Sequence, residues 1–263
     1  MNDKFLLDFI KQEDFEKHVI DTINQYRESL KSINLKKFNR NIIDPIKLIF
    51  DKNIFNKEFK EIIELEISRQ RDKTNNNVIG YFHQNIFKYI KNCKVPSQGW
   101  DIIFQSREYT YYVEMKNKHN TMNSVAASGI YMKMQNHLLN YDNDEKSICA
   151  LVEVIAKHSQ NIPWVMKVEN QKLIGNRRIK RMSIDKFYEI VTGNKNSFKN
   201  LCLQLPITLE KLVNENTSLK VEKDTVFEEL NKINSDIILA LYKLAFSTYE
   251  GFEFQFNNTK KQH

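Results

Sequence analysis

The run Gly99-Trp100-Asp101-Ile102-Ile103-Phe104-Gln105, followed by Thr110-Tyr111-Tyr112-Val113-Glu114-Met115-Lys116, constrains the fold more than any other stretch. Both segments are rich in β-branched and aromatic residues, and only Ser106 to Tyr109 separates them, so the pattern predicts an antiparallel strand pair. Residues two apart on a strand lie about 6.5 Å apart on one face. Glu114 and Lys116 therefore share a face, while Tyr109, Tyr111, Val113 and Met115 form an apolar row on the other. If the loop closes over four residues, Gln105 falls opposite Thr110 and Asp101 opposite Glu114.

Two carboxylates within about 5 Å of each other repel unless positive charge lies between them. A divalent cation satisfies them, and magnesium (Mg2+) fits best: it is hard, takes carboxylates and waters, and leaves positions for a phosphate oxygen. A cation so held polarises a phosphate and neutralises charge that grows in the transition state. Lys116 would hold the attacking water and stabilise its hydroxide form. The parts predict metal-dependent phosphodiester hydrolysis by Asp101, Glu114 and Lys116. Each also has a plain structural reading, since an Asp at a strand entrance and a Glu-Lys pair on a strand face are common solvated surface.

The segments GWDIIF and YYVEMKNKHNTMNS resemble the PD-(D/E)XK nuclease superfamily, with Gly99-Trp100-Asp101 in place of the Pro-Asp. The run Lys116 to Ser124, and Arg177 to Tyr188 with Val191-Thr192-Gly193 after it, narrow the resemblance to the type II restriction endonucleases that cut at GGNCC. It covers residues 60 to 205, approximately. The resemblance implies Mg2+ held by Asp101, Glu114 and the Met115 backbone carbonyl, a double-stranded DNA substrate, and a companion DNA methyltransferase that acts on the same site without a stable complex. A symmetric cut at a palindromic site needs two active sites, which implies a homodimer. Many relatives place a further acid on the helix before the core. Here Val78 to Ile90 contains none, only His83 and Gln84; Glu64 or Glu66 could substitute from an earlier helix, and the choice between one metal and two stays open. Two other classes fit parts of the pattern: a structure-specific repair or junction-resolving nuclease using the same three residues, and a noncatalytic DNA-binding protein.

Base recognition needs donors near the metal. Asn117, Lys118, His119, Asn120 and Asn123 follow the catalytic lysine directly, and Arg177, Arg178, Lys180 and Arg181 form the strongest basic cluster. Arginine reads guanine through paired donors to O6 and N7, which suits a GC-rich target. The plain readings are helix caps at Asn120, Thr121 or Ser124 and a solvated basic face that grips backbone only.

The 263 residues can bury a sizeable core, and Lys plus Arg exceed Asp plus Glu by 40 minus 33, a net +7 that favours a polyanionic partner. Cys93, Cys149 and Cys202 are widely spaced with no Cys-x-x-Cys pair, the start lacks a signal-peptide stretch, and no run approaches the roughly 20 apolar residues of a membrane span. These features predict a cytoplasmic protein with reduced thiols.

Apolar periodicity predicts helices over residues 1–72, broken at Asp44-Pro45 and at the polar Asp72 to Asn77, where the helical region gives way to the catalytic core at 73–205. Within the core, a helix over Val78 to Ile90, the two strands, a helix over Ser124 to Asn140, an apolar strand over Ile148 to Ala156, a strand over Trp164 to Val168 and a helix over Ile184 to Val191 stopped by Gly193 imply an α/β fold. Its centre is a mixed sheet flanked by helices. Residues 206–263 read as C-terminal helices packed on the core or in a dimer interface, with Ser197 to Cys202, Leu209 to Leu219 and Val226 to Leu244 helical, heptad-like positions at Leu212, Leu219, Val226 and Leu230, and a frayed Asn257 to His263.

Overall fold

The computed structural model describes residues 5–119, 122–141, 145–168, 171–172, 175–215 and 223–247. They begin with helices α1 (Gln12–Leu30), α2 (Leu35–Phe38), α3 (Pro45–Ile54) and α4 (Phe59–Asn85), the last followed by a 3-10 turn over Ile86–Tyr89. Asp44 starts α3 by accepting the Lys47 N–H, and Pro45 stands at the first turn, where its missing N–H costs nothing. The expected break at Asp72 to Asn77 does not occur. The stretch contains neither Pro nor Gly, so nothing in it forbids a helical backbone, and α4 runs through it with the Thr74 hydroxyl bonded back to the Gln70 carbonyl and Asn76 to Asp72.

Strands β1 (Cys93–Lys94), β2 (Ile102–Gln105) and β3 (Thr110–Lys118) lead to α5 (Ser124–Asn140), β4 (Ser147–Ile155), β5 (Asn161–Pro163), a small ribbon of β6 (Lys167–Val168) with β7 (Gln171–Lys172), and β8 (Ile179–Ser183). The order in the six-stranded sheet is β1-β2-β3-β4-β8-β5. It is mixed: β3, β4 and β8 run parallel, and the remaining neighbours antiparallel. Helix α5 makes the crossover that a parallel β3–β4 pair requires. The strand expected over Trp164 to Val168 is divided: the Trp164 N–H still donates to the Ile179 carbonyl at 2.8 Å at the end of β5 while its ring packs edge-on against Tyr131 of α5, and strand pairing resumes only at β6.

Helices α6 (Ile184–Thr192), α7 (Ser197–Glu215), α8 (Val226–Ile233) and α9 (Ile237–Phe246) complete the described chain. Gly193 ends α6 in the left-handed conformation, φ 74°, as its position predicts. Instead of two helices, α7 is one with Pro206 inside it. The Pro206 ring lies on the exposed side, while Leu201, Gln204, Thr208 and Leu212 bury one continuous face that holds the helix together. Conversely, Val226 to Leu244 splits where Asp236 caps α9 by accepting the Ile238 N–H. Leu219 and Asn257 to His263 lie outside the described residues.

The chain forms two compact units, Met1–Gln25 with Asn77–Ser218, and Tyr26–Asn76 with Leu219–His263. In the first, one sheet face packs Val113, Met115, Ala150, Val152 and Met182 against Phe15, Val19, Phe82, Phe87, Phe187, Tyr188, Leu201 and Leu212. The other face packs Cys149, Leu151 and Ile179 against Tyr131, Met134 and Leu138 of α5. Helices thus cover both faces, so β4 is apolar on both sides and buried over eight of its residues. The second unit is all helical, its core built from Ile33, Phe38, Leu48, Ile62, Ile63, Ile67, Val226, Leu230, Ala240 and Leu241. The heptad-like residues Leu212, Val226 and Leu230 are therefore buried within these cores.

Candidate active site

The β2–β3 register matches expectation residue for residue, with Gln105 opposite Thr110 and Ile102 opposite Val113. That register stops at Ile102: the Asp101 N–H donates at 3.0 Å to the carbonyl of Val113, the residue already opposite Ile102, so Asp101 stands beside the end of the ladder and is not paired with Glu114 as the loop length predicted. Gly99, at φ 93°, makes the turn into the strand, a conformation that a side chain would strain. The Asp101 carboxylate then folds back along β3, where Oδ2 accepts the Met115 N–H at 2.7 Å. That bond fixes Asp101 at the peptide linking Glu114 to Met115. From α4, Gln84 Nε2 donates to the Asp101 carbonyl at 3.2 Å and holds the strand entrance from behind.

Val113 and Met115 are buried in the core, which turns Glu114 and Lys116 to the α5 side of the sheet. The Glu114 side chain is only 12% exposed. A carboxylate so nearly buried needs a counter-charge, and the ammonium of Lys133 on α5 supplies it by donating to Glu114 Oε1. The same ammonium donates to the Gly99 carbonyl and lies 4.2 Å from the centre of the Trp100 ring. Lys116 is half-buried and makes no hydrogen bond or ion pair among the described residues.

Beside Lys116 in the register sits Glu153 of β4, 1% exposed. Arg181 of β8 donates to both its oxygens, with Nε to Oε2 at 3.0 Å and Nη2 to Oε1, and His119 Nδ1 lies 3.1 Å from Oε1. Burial pushes this carboxyl up, but the bonds from Arg181 and His119 outweigh it and hold Glu153 below the usual carboxylate range. The ends of β3, β4 and β8 are thereby joined by one polar network on the face that carries Glu114 and Lys116.

The other expected site residues are distributed less evenly. Asn123 caps α5 by accepting the Ala126 N–H at 2.8 Å, the role expected of its neighbours. Asn120 lies outside the described residues, Asn117 is half-buried and Lys118 exposed. The basic cluster is split: Arg181 is engaged by Glu153, Lys180 points to the opposite sheet face beside Ala150, and Arg177 is exposed. Among the accessory residues only Gln84 reaches Asp101. Burial pushes His83 down to about 4, so it is neutral at pH 7, and its Nδ1 finds no partner among the described residues. Glu64 and Glu66 belong to the helical unit, where Glu64 is exposed and Glu66 is bound by Arg69 and Gln70.

Two of these roles had different visibility in the sequence. Glu153 is the one charge in the apolar run Ile148 to Ala156, and a charge there must be paired, so the signal existed. Nothing in the spacing of α5 distinguishes Lys133. Among the described residues no three His, Cys, Asp or Glu side chains group to hold a metal. The oxygen set of Asp101, Glu114 and a backbone carbonyl nevertheless suits a hard cation that keeps several waters, and a cationic group already rests on Glu114.

A family model described as Eco47II restriction endonuclease matches residues 7–214. The chain is 29% identical over 237 residues to the type II restriction enzyme Sau96I of Staphylococcus aureus, covering 88% of this chain and 89% of that one. It is 26% identical over 215 residues to the type II restriction enzyme Eco47II of Escherichia coli, covering 80% of this chain and 89% of that one.

Proposed function

The chain belongs to the Eco47II restriction endonuclease family, and from that membership we propose a magnesium-dependent enzyme that hydrolyses double-stranded DNA at GGNCC through Asp101, Glu114 and Lys116. Site-specific endonuclease activity is the family's; the metal, the target and the catalytic residues are what we propose for this chain. The observation that supports it most is the bond from the Met115 N–H to Asp101 Oδ2, which sets one acid against the backbone of the other.

Asp101, Glu114 and the Met115 carbonyl would hold Mg2+, which when bound polarises the scissile phosphate and neutralises the charge that builds on it. Lys116, on the Glu114 face and without a hydrogen bond or ion pair among the described residues, positions the attacking water and favours loss of its proton. Gln84 keeps the Asp101 backbone in place while the carboxylate works. Exposed Lys118 and Arg177 are the members of the basic runs best placed to meet DNA, whereas His119 and Arg181 serve Glu153. A palindromic target is cut by a homodimer, and a companion methyltransferase protects host DNA. No helix among the described residues is long and apolar enough to cross a membrane, consistent with action on DNA in the cytoplasm.

Plasmid DNA incubated with the protein and magnesium chloride, followed by sequencing of the fragment ends, tests the reading. Discrete fragments ending at GGNCC support it. A smear without common ends, or discrete ends at another sequence, refutes the target.

A further inference from the structure

Lys133 is placed where a metal ligand meets solvent. Its ammonium touches Glu114 Oε1, the Gly99 carbonyl and the Trp100 ring, and its side chain is 38% exposed against 12% for Glu114. A lysine ammonium is a compact point charge on a flexible stem, so it can neutralise a carboxylate and still move away. A divalent cation binding the same carboxylate meets this charge at close range. It must either displace Lys133 or share Glu114 with it, and both cost affinity.

We propose that Lys133 is the built-in counter-cation of Glu114, a positioning residue that holds the carboxylate in place before metal binds and that weakens and gates metal binding by competing for the same oxygen. The inference rests on the reading of Asp101 and Glu114 as metal ligands. Before binding, Lys133 is pinned by three contacts at the entrance to β2. On binding, its ammonium leaves Glu114 and the Trp100 face, which makes Trp100 a reporter of the exchange.

Terbium(III), sensitised by tryptophan and competed with magnesium chloride in the absence of DNA, measures this directly on the full chain. Four proteins are compared: wild type, Lys133→Met, which keeps the stem over Trp100 without charge, Lys133→Arg, which restores charge, and Asp101→Asn. Circular dichroism confirms that each is folded. Lys133→Met is expected to bind magnesium about two- to fivefold more tightly than wild type, the scale of a partly exposed ion pair, and Lys133→Arg to return to the wild-type value. The magnesium-induced change in tryptophan emission is expected in wild type and lost in Lys133→Met. Equal or weaker binding by Lys133→Met, or an unchanged emission response, overturns the proposal while leaving the metal site intact. Absence of binding by wild type, or equal binding by Asp101→Asn, counts against the metal site itself.

Discussion

Replacing Glu153 with Gln removes the charge at the centre of the Arg181–His119 network while keeping the side chain's shape. Losing one partner of a fully buried ion pair costs about 3–5 kcal/mol, and an exposed pair about 0.2–1 kcal/mol. Glu153 is buried but the Arg181 side chain is a quarter exposed, so solvent relieves part of the loss, and the Gln carbonyl retains one acceptor. A destabilisation of about 2 kcal/mol follows, or roughly 4–8 °C in melting temperature for a unit of this size. The effect depends on pH with a definite sign. Glu153 is held below its ordinary value of 4.5, so it contributes stability above that value and loses it as pH falls through its lower folded-state value. Chemical denaturation of wild type and Glu153→Gln at pH 7 and at successive values below 4.5 should show the difference large at neutral pH and shrinking in acid. An unchanged midpoint at pH 7, or a difference as large in acid as at neutrality, would refute the assignment of that charge to stability.

Other substitutions separate chemistry from support. Gln84→Ala removes the donor on the Asp101 carbonyl, and a lost supporting contact of this kind costs about 10- to 100-fold in activity or metal affinity; a magnesium titration of the cleavage rate should shift to higher concentration, and a wild-type titration would exclude the role. Lys116→Ala should cut the single-turnover cleavage rate by about 10²- to 10⁴-fold, the usual worth of a positioned proton-transfer group, with DNA affinity measured by gel shift changed far less. Parallel loss of binding and cleavage would make Lys116 a phosphate contact instead.

The hairpin, α5 and the α6–Gly193 stop were legible because local rules decide them: strand alternation, a short loop, the helical run Ser124 to Asn140, and a glycine free to take φ 74°. What escaped was decided by tertiary context. Continuity of α4 through Asp72 to Asn77 was missed because a polar run without Pro or Gly can still be helical, and the single helix through Pro206 depends on a buried face on both sides of it. At the site, strand alternation put Glu114 and Lys116 on one face, but Asp101 reaches β3 through its side-chain bond to the Met115 N–H and not through register pairing. The partners of Glu114 and Glu153 were not legible, since Lys133 and Arg181 reach them from elements 19 and 28 residues away.

The central claim is that Asp101 and Glu114, brought together by the Met115 N–H bond to Asp101 Oδ2, hold the cation on which cleavage depends. Supercoiled plasmid treated with wild type and Glu114→Gln, each with magnesium and with EDTA, tests it most directly. Wild type with magnesium should give discrete linear fragments, wild type with EDTA none, and Glu114→Gln none under either condition while still retarding the plasmid's DNA in a gel. Cleavage by folded Glu114→Gln at the wild-type rate, or undiminished cleavage by wild type in EDTA, would contradict the account.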